Sequence, residues 1–209
     1  VDDLDIASDG KIYFSDASIK YGYGSDRLEL FGHTPNGRLL VYDPITQKTT
    51  TLLSDLYFAN GVALSSDESF VLVNETLMYR IQKYWLKGDK AGTSEIFIEN
   101  LPGFPDNVSS NEEGIFWVAL FNPRNNFVEM SSNKPFLRKI VFRLPELLQP
   151  QPINHSFVLG LNEDGKVVHN LQYQANEAYS PITSVKQYND TLYFGSLTHP
   201  GWGKIEVPK

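Results

Sequence analysis

Residues Leu101–Leu120 read LPGFPDNVSSNEEGIFWVAL, and they hold the grammar of the whole chain. A proline-and-glycine turn delivers the adjacent Asp106 and Asn107 to the start of an alternating stretch. That stretch turns at Glu113-Gly114 and ends in an apolar run, so it reads as strand, tight turn, strand. Three other segments share the layout: DLDIASDGKIYFSD (Asp3–Asp16), NGVALSSDESFVLVNE (Asn60–Glu75) and ITSVKQYNDTLYFGSL (Ile182–Leu197). They turn at Asp9-Gly10, Asp67-Glu68 and Asn189-Asp190.

Three of the four are followed by a third apolar strand: GRLLVYDP (Gly37–Pro44), RIQKYWLKG (Arg80–Gly88) and LRKIVFRLP (Leu137–Pro145). A fourth strand leads onward in KTTTLLSDLYFANG (Lys48–Gly61) and SEIFIENLPGFPDN (Ser94–Asn107). Four short antiparallel strands recurring at roughly 45 to 60 residues are the signature of a β-propeller. The expected fold is therefore all-β, with residues 1–209 forming one partial propeller of about four blades. The chain opens at VDDLDIASDG, inside a strand pattern and without a starting methionine. The expectation is a fragment whose N-terminal blades are missing.

Two inserts interrupt the period, residues 17–36 and 121–136. Long inserts on a propeller sit over one face and shape its pocket. The stretch PELLQPQPINHS (Pro145–Ser156) reads as a connector with one turn of helix, after which NEDGKVVHNLQYQ (Asn162–Gln174) resumes the strand pattern.

Composition narrows the function classes. The chain has 209 residues with 18 basic and 25 acidic side chains, a formal net charge of -7. That balance, with no Lys/Arg cluster, argues against nucleic acid or an anionic membrane as the main partner. There is no cysteine, hence no disulfide, thiolate metal site or cysteine nucleophile. No apolar run is long enough for a membrane-spanning helix. The four histidines, His33, His155, His169 and His199, are not paired at zinc-ligand spacing. No nucleophile elbow, Walker loop or dinucleotide fingerprint occurs.

The innermost strand of each propeller blade starts near the central channel. By that argument Asp2-Asp3, Asn60 and Asp106-Asn107 converge on the channel mouth, where their side-chain oxygens suit a hard cation or a polar substrate. Taken singly, Asp106 could equally be a turn cap, since Asp and Asn are ordinary turn residues.

The combination of DLDIASDGKIYFSD, GRLLVYDP, FANGVALSSDESFVLVNET, LPGFPDN and PFLRKIVFRLP resembles the strictosidine synthase-like family, in particular its adipocyte plasma membrane-associated members. More distantly it is similar to the paraoxonases and gluconolactonases. The resemblance covers essentially the whole chain and implies a six-bladed propeller with calcium or another divalent cation in the channel. It implies Asn60, Asp106, Asn107 and Asp2 as metal ligands, Asp2 standing where the family usually has Asn. A further Glu ligand would lie upstream of Val1. Three carboxylates around the ion would favour tight binding over power to polarise a substrate oxygen. The plant strictosidine synthases use a catalytic Glu whose place is taken here by Thr183, and a threonine cannot act as that base.

Two functions follow. One is a metal-dependent hydrolase of esters or lactones (arylesterase or lactonase type), with Asp106 both ligand and general base for a small-molecule ester or lactone substrate. The other is a non-catalytic propeller with a structural calcium and a partner-binding face built from the aromatic inserts. A different condensation reaction is a weaker third. Sequons at Asn74, Asn107, Asn154 and Asn189 support glycosylation only weakly. The family also implies membrane anchoring, or the secretory pathway or periplasm, through the missing N-terminal part.

Overall fold

The computed structural model describes residues 1–20, 22, 32–125, 129, 134–145 and 153–208. Among these residues fifteen strands lie in four antiparallel sheets, each formed by strands consecutive in sequence. The first blade holds β1 (Leu4–Ile6), β2 (Ile12–Asp16), β3 (Gly37–Asp43) and β4 (Lys48–Leu56). In the second are β5 (Ala59–Leu64), β6 (Phe70–Glu75), β7 (Arg80–Trp85) and β8 (Ser94–Ile98). The third contains β9 (Gly103–Ser110), β10 (Ile115–Pro123), β11 (His155–Asn162) and β12 (Val167–Gln174). The fourth is three-stranded, with β13 (Ser184–Tyr188), β14 (Thr191–Gly195) and β15 (Gly203–Glu206). This is the four-blade arrangement that the repeats predict.

Burial grades along each sheet as a propeller requires. Every residue of β5 and β6 is buried, whereas β4 and β12 are mostly exposed outer strands. The core lies between blades. Val62, Val71 and Val73 pack on Leu39 and Tyr13 of the first blade. Leu72, Phe70 and Phe97 pack on Phe116, Leu120 and Leu159 of the third. Trp117, Ala119 and Val158 meet Val185, Leu192 and Phe194 of the fourth. The second and third sheets each bury their two faces against different neighbours, so the blades stabilise one another.

One expectation fails. LRKIVFRLP is not the third strand of its blade; Pro135–Phe142 is a helix, α1, and β11 takes the strand's place. Leu137, Ile140 and Val141 lie at helical spacing, and Pro135 at the first turn fits a helix start. A short apolar run is compatible with either period, and the proline tipped it to helix. The expected helical turn in Pro145–Ser156 falls mainly on residues outside those described.

The described end of the first insert meets α1, which follows the second insert. Arg138 of α1 donates through Nη2 to Gly32 O at 3.4 Å, and the next residue, His33, stacks near Tyr57 with ring centroids 5.0 Å apart. Tyr57 leads directly into β5, so this contact lies at the end of the blades where Asn60 sits.

Candidate functional site

At the start of every inner strand, two residues face one on the neighbouring strand. Ala59 pairs with Glu75 and Val62 with Val73, leaving Asn60 and Gly61 together opposite Asn74. Pro105 pairs with Leu120 and Val108 with Val118, leaving Asp106 and Asn107 opposite Ala119. Asp2 and Asp3 both bond to the backbone of Ser15, and Thr183 and Ser184 both meet Gly195. Such bulges re-aim side chains away from the regular pleat. In the second and third blades they set Asn60 and Asp106-Asn107 out of the regular ladder.

The second and third blades touch there by backbone. A Cβ on Gly61 would stand 2.6 Å from Asp106 O and 2.4 Å from Val108 N. Only glycine permits this approach, which is why Asn60-Gly61 and Asp106-Asn107 work as a pair. Side chains reinforce it. Asn74 donates through Nδ2 to Asp106 O at 2.5 Å, and Thr76 Oγ1 donates to Pro105 O at 2.7 Å. Asn60 Nδ2 donates to Thr76 Oγ1 at 3.3 Å. The first blade is tied to the second in the same manner, with Asp3 Oδ2 accepting from Val62 N and Asp5 Oδ2 from Leu64 N at 2.9 and 2.8 Å. In the third blade Asn107 N donates to Thr183 O at 3.1 Å.

Asp106 is the electrostatic centre. Burial in the channel mouth, then the carboxylate of Asp2 and that of Asp3, push its carboxyl up to about 8, against the lowering effect of the Asn60 amide. Some of its surface stays open. Protein on most sides and like charge on another nevertheless leave the anion poorly solvated. Asn60 is only 5% exposed and its Oδ1 has no hydrogen-bond partner. A buried carbonyl oxygen without a donor beside a carboxyl that resists ionisation is a donor set lacking a positive charge, and a hard cation fits it. Among the described residues, no three His, Cys, Asp or Glu side chains come together in a metal-holding group. The set is amide-rich instead.

The structure therefore brings Asp2, Asn60 and Asp106 into one electrostatic group. Asn107 lies on the wall of an adjoining cavity of about 360 Å³, with Asp3, Asp5, Ser109 and Lys186. The carboxylate of Asp3 already accepts from Val62 N and Leu4 N, so it serves the blade junction. Thr183 is buried and its hydroxyl faces Gly195 O at 3.4 Å. The histidines lie against neighbouring rings: His33 on Tyr57, His155 on Phe157, His169 on Trp117 and His199 on Tyr179. Of the sequon asparagines, Asn154 and Asn189 are exposed, Asn74 is fully buried and Asn107 half-buried.

Comparison with known proteins agrees with this fold. A family model described as strictosidine synthase matches residues 2–89. The Arabidopsis thaliana protein Strictosidine Synthase-like 3 is 37% identical over 201 residues, covering 93% of this chain and 51% of the relative. This chain belongs to the strictosidine synthase-like family. The adipocyte plasma membrane-associated protein of Bos taurus is 36% identical over 207 residues, covering 96% of this chain and 50% of the relative. The family member described here thus spans about half the length of the curated relatives it matches. Among solved structures, a Xanthomonas campestris gluconolactonase superposes with a TM-score of 0.57 at 16% identity, covering 91% of this chain and 52% of that one. Regucalcin from Agrobacterium tumefaciens, described as a calcium-binding protein, gives 0.57 at 15%, covering 94% and 53%. At those identities the likeness shows the shared fold.

The sequence reading passed over Asn74, Thr76 and Gly61. A signal for Asn74 was present: it is the one amide in the otherwise apolar run FVLV that precedes it.

Proposed function

We propose that this chain carries part of the channel of a divalent-cation-dependent hydrolase of esters or lactones, with calcium the favoured ion. Asp2, Asn60, Asp106 and Asn107 would hold the cation. The observation that carries the reading is the unpartnered, buried Oδ1 of Asn60 next to a carboxyl of raised pKa. A gluconolactonase and a calcium-binding protein among the structural neighbours are consistent with it. When bound, such an ion supplies Lewis-acid polarisation of a substrate carbonyl and stabilisation of the developing oxyanion. The chain's own contributions are distinct. Asn60 and Asn74 hold the Asp106 turn in place, and the Asp106 carboxyl, in its ionised form, would accept a proton from water. The cavity beside Asn107 receives the substrate, with Lys186 on its wall.

Strictosidine synthesis is not favoured, because Thr183 offers a hydroxyl engaged with backbone where that reaction needs a carboxylate. Membrane association is proposed by analogy with the adipocyte plasma membrane-associated relatives. Among the described residues no helix is long and apolar enough to cross a membrane.

Calorimetric titration with calcium tests the proposal. Asp106→Ala and Asn60→Ala should each weaken binding by more than about tenfold. A screen of aryl esters and lactones should then show turnover that a chelator abolishes. Binding without turnover would favour the non-catalytic scaffold, and no binding in the unmutated protein would overturn the metal reading altogether.

A further inference from the structure

The four blades place one residue opposite each bulge: Ser15, Asn74, Ala119 and Gly195. Three of these are small. Asn74 alone is a long polar side chain, it is fully buried, and it crosses to the next blade. Its amide orientation is fixed by chemistry. The group it meets is the Asp106 carbonyl oxygen, which can only accept, so Nδ2 must face it and Oδ1 must face elsewhere. Among the described residues that Oδ1 has no partner.

The same logic fixes Asn60. The single hydroxyl proton of Thr76 goes to Pro105 O, so Thr76 Oγ1 accepts from Asn60 Nδ2, and Asn60 Oδ1 is left over. Two amide oxygens from adjacent strands of one blade are thus orphaned; Asn74 is anchored directly on Asp106 O, and Asn60 is anchored through Thr76 on Pro105 O. An unpaired buried acceptor is costly, and two anchored on one turn mark a place where a positive group completes the structure.

We propose that Asn74 Oδ1 is a further ligand oxygen of the channel cation, contributed by the second strand of the blade instead of the inner strand. The inference rests on the metal reading above. Its consequence is a site that draws two neutral oxygens, Asn60 and Asn74, from a single blade. It also links cation binding to the blade junction, because the amide that meets the ion holds Asp106 with its other end.

The test uses europium as a calcium substitute, with luminescence lifetimes in H2O and D2O reporting how many waters remain on the ion. The variants are Asn74→Ala and Asn74→Ser, which copy the residues that the third and first blades carry at the equivalent place, Ala119 and Ser15. Both residue types are tolerated at this position of the repeat. Each variant should bind europium about tenfold or more weakly and carry one additional water on the bound ion. Unchanged hydration in both folded variants would overturn the proposal, even if affinity fell, because a strut acting only through Asp106 O leaves the ligand count alone. Europium binding in the unmutated protein with unchanged affinity and hydration in the variants would overturn this inference while sparing the metal reading. Absence of any europium site in the unmutated protein would overturn both.

Discussion

Asp106 carries two opposing demands, and pH separates them. In the folded protein its carboxyl is raised to about 8, chiefly by burial and secondly by Asp2, from an ordinary value of 3.8. Between these values the folded chain holds a proton that the unfolded chain has lost. Stability of the cation-free protein therefore falls as pH rises from about 4 to about 8, the reverse of a salt-bridged aspartate. Asp106→Asn removes the titration while keeping the shape. In the presence of chelator its melting temperature should gain on that of the unmutated protein by on the order of ten degrees between pH 5 and pH 8.5, from about 1.4 kcal/mol per pH unit over about three units at about 2–4 °C per kcal/mol. Thermal melts across that range check this, and parallel curves for the two proteins would show that Asp106 is not poorly solvated. At this scale the sequence was readable where residue type marks a polar cluster, as at Asp2, Asn60 and Asp106, which the fold brings into one electrostatic group. It was silent on Gly61, whose importance is a backbone approach across blades, and on Asn74, which looks like an interruption of an apolar strand until the bulge opposite it is seen.

The sheets themselves were legible because turn residues and alternation recur together in four places. Helix α1 was not, since Leu137, Ile140 and Val141 satisfy a helical period in a run that is also compatible with a strand. Contacts between elements were the hidden layer. Lys83 of β7 shows what they contribute: it is 7% exposed, and its Nζ lies 4.1 Å from the centroid of Phe70, 4.8 Å from Phe97 and 4.9 Å from Trp85. It also donates to Glu163 O, in the β11–β12 turn of the next blade, at 3.2 Å. Burial lowers the lysine's pKa, and the three rings and the carbonyl offset that desolvation. Truncation to alanine leaves a void among aromatic rings and orphans the Glu163 carbonyl. Lys83→Ala should therefore lose about 2–4 kcal/mol, and Lys83→Met, which refills the volume, only about 1 kcal/mol. Urea denaturation of the three proteins measures both. Equal losses for Met and Ala would mean that the ammonium, and not packing, joins these blades.

Across the whole molecule, the second and third blades are covered on both faces, but among the described residues the first and fourth are covered on one. Asp3 and Asp5 point from β1 to β5, so alternation turns Leu4 and Ile6 the other way, where they are 49% and 59% exposed. On the fourth blade Leu192 and Phe194 face the third, while Tyr193 and Trp202 are 37% and 65% exposed. Apolar sheet faces of this kind are sites of association. In proteins twice this length, as the curated relatives are, there is chain enough to cover such faces; this stretch produced by itself has only other copies. Sedimentation velocity on residues 1–209 should accordingly show self-association between roughly 1 and 100 μM, a range in which exposed apolar surface drives aggregation. Replacing Ile6 and Trp202 with lysine should shift it toward monomer, because both side chains are exposed. A monomer throughout that range, with or without the lysines, would show that the two outer faces are adequately solvated. The blade-to-blade contacts between β5 and β9 would then suffice to hold the propeller segment, and the channel site could be studied in this stretch alone.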